Sequence, residues 1–336
     1  MMNKEMMNLA MNTQWGEDTV GATTRWAVVL SPKMRVNEAI ERVRQVGFPT
    51  GTSNSCYVVS EDYVLRGIVT LRDLILARGG QLLEVVMKPP FASLRPQDDQ
   101  EVAAQLMEQF DLLELPVVDE DNRLLGVVTA DDAMAVLQSE ATEDMEKMAA
   151  IEPTEQPYLQ TGVLRLYRSR IVWLLLLMVS ATFTGAIINR FQSALAAQVA
   201  LTAFIPMLMD TGGNCGSQSS VVVIRGLALG ELQFSHWLRV AWKELRVALL
   251  CGLTLAGLTF ARVLLLDRLS PALAAVVAVT LLATVILAKL IGCLLPILAK
   301  RAGVDPAVIA SPLITTIVDA ASLMVYFGVA SALLHL

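Results

Sequence analysis

The chain has 336 residues, 54% of them hydrophobic, with a mean hydropathy of +0.55 and a formal net charge of −6. That hydropathy excludes an ordinary soluble globular protein, and the length allows two or three domains. The charge is divided: residues 1–160 hold 13 Lys/Arg against 26 Asp/Glu, a net of −13, and residues 161–336 hold 13 against 6, a net of +7, so an acidic soluble module precedes a membrane module.

Residues 1–20 carry Lys4, Glu5, Glu17 and Asp18 and no apolar run, so no signal peptide is expected. The cysteines, Cys56, Cys215, Cys251 and Cys293, are scattered without a CxxC, three of them in the apolar half. They read as small apolar fillers, not disulfides or zinc ligands.

The acidic half contains an internal repeat. Residues 57–74 align with residues 116–133 at an offset of 59, and nine of the eighteen positions are identical, including Gly67/Gly126, Thr70/Thr129 and Asp73/Asp132. Each copy reads as strand, acidic turn, strand and helix, and each follows an amphipathic helix, Val36–Val46 in the first copy and 101–110 in the second. This pattern over roughly residues 28–137 resembles a tandem cystathionine-β-synthase (CBS) pair, with copies at about 28–88 and 89–137. Asp73 and Asp132 are placed to accept from a ribose hydroxyl, with Thr70 and Thr129 beside them. The same residues are equally suited to capping the helix that follows.

From Asp98 to Glu155 there are 17 carboxylates and, as counter-charge within that stretch, Arg123 and Lys147. The belt is either a solvated acidic face or a divalent-cation sensor, since clustered carboxylates repel one another and favour bound cations. Residues 138–163 form a connecting segment, with a charged helix that ends at Pro153.

Five spans are expected at 171–189, 192–209, 247–266, 271–295 and 307–333. Nine Lys/Arg flank one side: Arg165, Arg168, Arg170, Arg225, Arg239, Lys243, Arg246, Lys300 and Arg301. The other side has Arg190, Arg262 and Arg268. The positive-inside rule puts the acidic module in the cytoplasm and the C-terminus outside.

A polar run, 206–220, follows the second span. Its Gly212, Gly213 and Gly216 permit an unwound turn or close helix packing, and Asp210, Asn214 and Gln218 recur at spacing four. In the last span Ser311, Thr315 and Asp319 also recur at spacing four, with Ser322 three further on, all on one helical face. A carboxylate deep in an apolar segment needs a proton, a partner, or water and a cation, which marks Asp319 as an ion-path residue. Lys289, near the cytoplasmic end of the fourth span, either snorkels or forms an ion pair.

A CBS pair, a charged connecting helix, the run 206–220 and the segment 303–328 in this order resemble the MgtE family of magnesium channels, over nearly the whole chain. The resemblance implies an α+β tandem CBS module followed by an all-α polytopic membrane domain, in an inner-membrane protein with the CBS module cytoplasmic. It implies a homodimer with its pore at the dimer axis, lined by the second and fifth spans. The pore carboxylate falls on Asp319, and the GGN segment on Gly212, Gly213 and Asn214. The connecting helix matches the family's plug helix, which closes the pore when cytoplasmic Mg²⁺ is high. The sensor acids match Asp99, Glu101, Asp111, Asp132, Glu140, Glu143 and Asp144, and the nucleotide site, for ATP, matches Thr70 and Asp73. Mg²⁺ is then both cargo and regulator. The partners implied are a second copy, membrane lipid and adenine nucleotide, with no nucleic acid. MgtE proteins usually carry a helical domain before the CBS pair; here about 25 residues precede it, so gating is expected to be weaker or to rest on contacts among the CBS copies and the plug helix.

The alternative is a secondary transporter for Co²⁺ or Mn²⁺, because hard-oxygen sites accept several ions. An anion transporter is disfavoured by Asp210 and Asp319. A membrane metalloprotease is discarded, because His236 and His335 do not form an HExxH helix; a transporter and not an enzyme is expected.

Overall fold

The structure, a computed structural model, describes residues 15–16, 19–48, 54–154, 156–309 and 311–334. Lys4, Glu5, Glu17, Asp18, Glu155, His335 and the side chain of Ser311 lie outside the described residues. The chain divides into two compact units, Met1–Ala141 and Thr142–Leu336.

The first unit contains α1 (Val20–Thr23), β1 (Val28–Leu30), α2 (Val36–Val46), β2 (Ser55–Val59), β3 (Leu65–Thr70), α3 (Leu71–Leu76), α4 (Leu83–Val86), α5 (Gln100–Phe110), β4 (Glu114–Val118) and β5 (Leu124–Thr129), and α6 (Ala130–Met148) begins there. The repeat seen in the sequence is a repeat in space. β2 pairs antiparallel with β3 with Ser55 opposite Thr70, and β4 with β5 with Glu114 opposite Thr129; each pair slips register at the same place, between Val58 and Val59 and between Val117 and Val118. β1 joins β2 in parallel, and Leu94 bridges Val117 in parallel at the equivalent position.

Each copy closes its own core with a helix. Val36, Ala39 and Val43 form the buried stripe of α2, and Ala103, Ala104 and Met107 that of α5. Tyr57, Val59 and Leu65 of one copy then pack against Val118, Leu124 and Val127 of the other. An incoming chain crosses each second strand. Arg25 and Val127 exchange two backbone hydrogen bonds of 2.8 Å, and Ile68 and Lys88 exchange two of 2.8 and 3.0 Å. The crossings require glycine: a Cβ at Gly126 would fall 2.4 Å from the Arg25 carbonyl oxygen, and one at Gly67 2.9 Å from that of Lys88.

The expected connecting helix is not a separate element ending at Pro153. Its residues belong to α6, which ends at Met148; Ala150 then takes a left-handed backbone (φ 55°) and Ile151 donates its N–H back to Glu146.

The second unit is helical: α7 (Val163–Arg190), α8 (Gln192–Ala197), a 3₁₀ turn (Val199–Phe204), α9 (Ile205–Ala228), a 3₁₀ turn (Phe234–His236), α10 (Trp237–Leu265), α11 (Pro271–Arg301) and α12 (Ser311–Leu334). Among the described residues four helices are long and apolar enough to cross a membrane: Val163–Arg190, Phe234–Leu265, Pro271–Arg301 and Pro312–Leu334. On α7, Leu174, Leu175, Met178 and Phe183 are all exposed, the pattern of a helix whose apolar side chains meet lipid.

The expected second span, 192–209, is corrected. Gln198 leaves helical geometry at φ −136°, ψ 81°, which separates α8 from the 3₁₀ turn, and Pro206 then opens α9 in its first turn, where a missing N–H costs nothing. The polar run lies inside α9 as unbroken helix, so the unwound-turn alternative falls. The 3₁₀ turn is anchored by Tyr326, whose buried hydroxyl donates to the Leu201 carbonyl at 2.9 Å. The helices at the first and third expected spans begin earlier, at Val163 and Trp237, and the last helix begins later, at Ser311.

Candidate functional site

α9 presents two different faces. Asp210, Asn214 and Gln218 are exposed, whereas Gly212, Gly213, Gly216, Ser219 and Ser220 are buried. The glycines allow two helices to come close. A Cβ at Gly212 would lie 2.8 Å from Thr284 Cγ2 and 2.9 Å from Val318 Cγ1, and one at Gly216 2.9 Å from Ile314 Cγ2. At Gly213 the nearest group is Thr315 Cγ2, 3.2 Å away. Each interior glycine costs a helix about 1 kcal/mol relative to alanine, and this packing against α11 and α12 offsets that cost.

α12 brings Thr315 and Asp319, both half-buried, beside this contact. Thr315 donates to the Pro312 carbonyl at 2.9 Å, the helix-backbone bond common for hydroxyls in spans. Ser322 is buried behind Asp319, against Gly212. The sequence-chosen residues Asp210, Gly212, Gly213, Asn214, Gln218, Thr315 and Asp319 therefore lie on two adjoining helices. Carboxylates, two amides and a hydroxyl on such a surface suit a hydrated divalent cation.

Lys289 does not snorkel. It is 5% exposed, donates to Ser219 Oγ at 3.2 Å and lies 3.7 Å from Glu244 Oε2; Ser219 in turn donates to Glu244 at 2.7 Å. Glu244 was overlooked in the sequence because it sits in the amphipathic start of α10, where a surface position is the ordinary reading.

Further along, Lys147 at the end of α6 sits between Glu143 (2.5 Å) and Asp305 (2.6 Å), the latter in the loop between α11 and α12. Partial burial works to lower the Lys147 pKa, but the hydrogen bonds to Asp305 and Glu143 outweigh it and hold the ammonium well above its ordinary value. Its contribution is therefore complete below the unfolded lysine value, about 10.4, and is lost only as pH rises through the raised one.

In the first unit the Thr/Asp pairs cap helices in both copies. Thr70 Oγ1 donates to Asp73 at 2.6 Å and accepts from the Asp73 N–H at 3.1 Å; Thr129 and Asp132 repeat this at 2.6 and 3.4 Å. Each Asp also holds a cation from the crossing chain: Lys88 pairs with Asp73 at 2.8 Å, and Arg25 pairs with Asp132. Burial works to raise the Asp73 pKa, but Lys88 and Thr70 outweigh it and the net shift is downward. The sequence reading missed both cations, since a residue so far away along the chain carries no local signal.

The other expected sensor acids are spread out. Asp99 caps α5, accepting from the Glu101 N–H at 2.8 Å, and Asp111 ends that helix in a left-handed backbone. Glu140, Glu143 and Asp144 lie on α6. Among the described residues no three Asp, Glu, His or Cys side chains converge on a metal-sized site.

Comparisons with known proteins follow the same division. The sequence profile of the MgtE family, described as divalent cation transporter, matches residues 205–329, and the CBS profile matches 27–80 and 83–139. The chain is 39% identical to the magnesium transporter MgtE of Thermus thermophilus, over 95% of this chain and 70% of that protein. It is 36% identical to the magnesium transporter MgtE of Bacillus subtilis, over 89% of this chain and 66% of that protein. A solved structure titled as the cytosolic domain of the Mg²⁺ channel MgtE in complex with ATP aligns with 38% of this chain and 52% of that chain, at 36% identity and a TM-score of 0.36.

Proposed function

We propose that this chain, which belongs to the MgtE family, carries Mg²⁺ across the inner membrane as a homodimer. The observation that carries the reading is the close packing of α12, which bears Thr315 and Asp319, on α9, which bears the exposed row Asp210, Asn214 and Gln218, at Gly212 and Gly213. Two like charges in an apolar unit repel, and a cation between or beside them relieves the repulsion.

In this reading α9 joins the four long apolar helices as the second span in chain order, α12 is the fifth, and two copies set their α9 and α12 faces around one axis. Mg²⁺ gives up its water reluctantly, so the wall holds it as a hydrated ion, through waters bound to carboxylate, amide and hydroxyl oxygens. Two Asp319 side chains offset much of a double positive charge. The CBS module is cytoplasmic and the C-terminus outside, as the Lys/Arg distribution supports.

Control is assigned to the acidic belt and α6. Asp99, Glu101 and Asp111 lie along α5 and at its two ends, and Asp132, Glu140, Glu143 and Asp144 along α6, and pairing of two copies is what would gather them into cation sites. Bound Mg²⁺ would then screen the belt, let the modules compact and close the path with α6; low Mg²⁺ would leave the carboxylates repelling and the path open. For adenine nucleotide, the capped pair Thr70–Asp73 fits: an ionised Asp73 accepts from ribose hydroxyls, and Lys88 beside it offers a positive charge to phosphate.

The test is ion flux into liposomes holding the purified full chain, with Mg²⁺, Ca²⁺, Mn²⁺ and Co²⁺ compared with and without ATP. Preferred Mg²⁺ entry supports the reading; preferred Co²⁺ or Mn²⁺ entry, or entry coupled to a counter-ion, would replace it with a secondary transporter.

A further inference from the structure

Lys289, Ser219 and Glu244 make a closed set across three helices. Ser219 is on α9, Glu244 on α10 and Lys289 on α11. Ser219 stands at the centre, accepting from Lys289 at 3.2 Å and donating to Glu244 at 2.7 Å, while the two charges face each other at 3.7 Å. Ser219 and Lys289 are 2% and 5% exposed.

The position of Ser219 gives this set a consequence for the ion path. It directly follows Gln218 on α9, so a bond that fixes the rotation of α9 at Ser219 also fixes where Gln218, Asn214 and Asp210 point. The glycine face cannot do this alone. Gly212 and Gly216 permit close approach, but contacts of smooth small residues resist rotation and sliding weakly. A buried charged pair tolerates little displacement, because moving either partner leaves a charge without compensation. The set is also neutral as a whole, so it adds no net positive field to a wall that attracts a cation through Asp210 and Asp319.

We propose that Lys289, Glu244 and Ser219 are positioning residues for cation passage: they clamp α9 to α10 and α11 in the one rotation that aims its polar row at the ion path. The proposal rests on the reading that α9 and α12 line that path, and its test separates the two.

The test uses the full chain in liposomes and reads maximal Mg²⁺ flux, half-saturating Mg²⁺ and the Mg²⁺/Ca²⁺ flux ratio. Three variants remove or keep the clamp. Glu244→Gln with Lys289→Met removes both charges together and leaves neither buried alone. Ser219→Ala removes the hub with the smallest change of volume, and decides the matter if the double variant does not fold. Lys289→Arg keeps a cation that can still donate. Asp319→Ala serves as the path control. The double variant and Ser219→Ala are expected to keep the melting temperature of the parent, lower maximal flux about tenfold, as loss of positioning does at a site that must be held to a fraction of an ångström, and bring the Mg²⁺/Ca²⁺ ratio towards one. Lys289→Arg is expected to stay near the parent on all three readouts. Parental flux and ion preference in both clamp-less variants, with Asp319→Ala silent, would overturn the clamp and leave the path standing. Parental flux in Asp319→Ala would overturn the path reading itself.

Discussion

Gly216 and Gly292 touch backbone to backbone: a Cβ at position 292 would fall 2.2 Å from the Gly216 carbonyl oxygen. Among the described glycines of α9 and α11 this is the tightest approach between the two helices, so this crossing sets their separation. Gly292→Ala should therefore force the helices apart and destabilise the purified protein by about 1–3 kcal/mol, the usual range for overpacking. Gly257→Ala is the matched control on α10, since nothing lies within 4 Å of its added methyl; it should be neutral or slightly stabilising by helix propensity. Thermal unfolding in detergent compares the two, and equal melting temperatures would contradict the crossing.

Lys88 and Asp73 form a partly exposed pair whose effect depends on pH. The folded Asp73 pKa is lowered, so its contribution is present above the unfolded aspartate value, about 3.9, and is lost as pH falls through the lowered folded one. Lys88 is mostly exposed, and solvent screening limits the pair to about 0.5 kcal/mol. Lys88→Met should cost that amount at neutral pH, and the difference from the parent should vanish in acid. A difference that stays constant down to acid pH would show that the lysine stem, not the charge, is what matters. On the proposed nucleotide site, calorimetry with ATP should show about a fivefold weaker affinity in the same variant.

The repeat made the first unit largely legible. Nine shared positions carried the strands and the Thr/Asp caps, because each depends on residues a few places apart; the common register slip emerged only from the strand pairing. The helical unit was legible where apolar runs were long, and misread at 192–209, where Gln198 breaks a run that hydropathy joins. The glycines of the polar run left an unwound turn and close packing both open, and packing on α11 and α12 holds them helical. Local propensity gave way to tertiary packing. Spacing placed Thr315 and Asp319 together on α12, where both are half-buried, but Ser322 is buried against Gly212. The Lys289–Ser219–Glu244 set did not follow from spacing, because it brings together residues from different helices.

Glu140, Glu143 and Asp144 on α6 test the control reading. Replacing all three by their amides should raise the cytoplasmic Mg²⁺ needed for half inhibition about tenfold, the scale of an ordinary coupling energy between sites. Lys147→Met should act differently, since it frees Glu143 and Asp305 from the ammonium that now bridges them. It should strengthen inhibition by Mg²⁺, which can take the ammonium's place. Flux measured against graded Mg²⁺ on the cytoplasmic face reads both, and identical inhibition curves for parent and triple variant would remove α6 from the sensor.

The central claim is that Asp319 lines the path of the ion. Mg²⁺ entry into liposomes carrying the Asp319→Ala protein, reconstituted in equal amount and of unchanged melting temperature, tests it most directly. Entry should fall about tenfold or more, since the wall loses its carboxylate at membrane depth. Entry at the parent's rate would contradict the account.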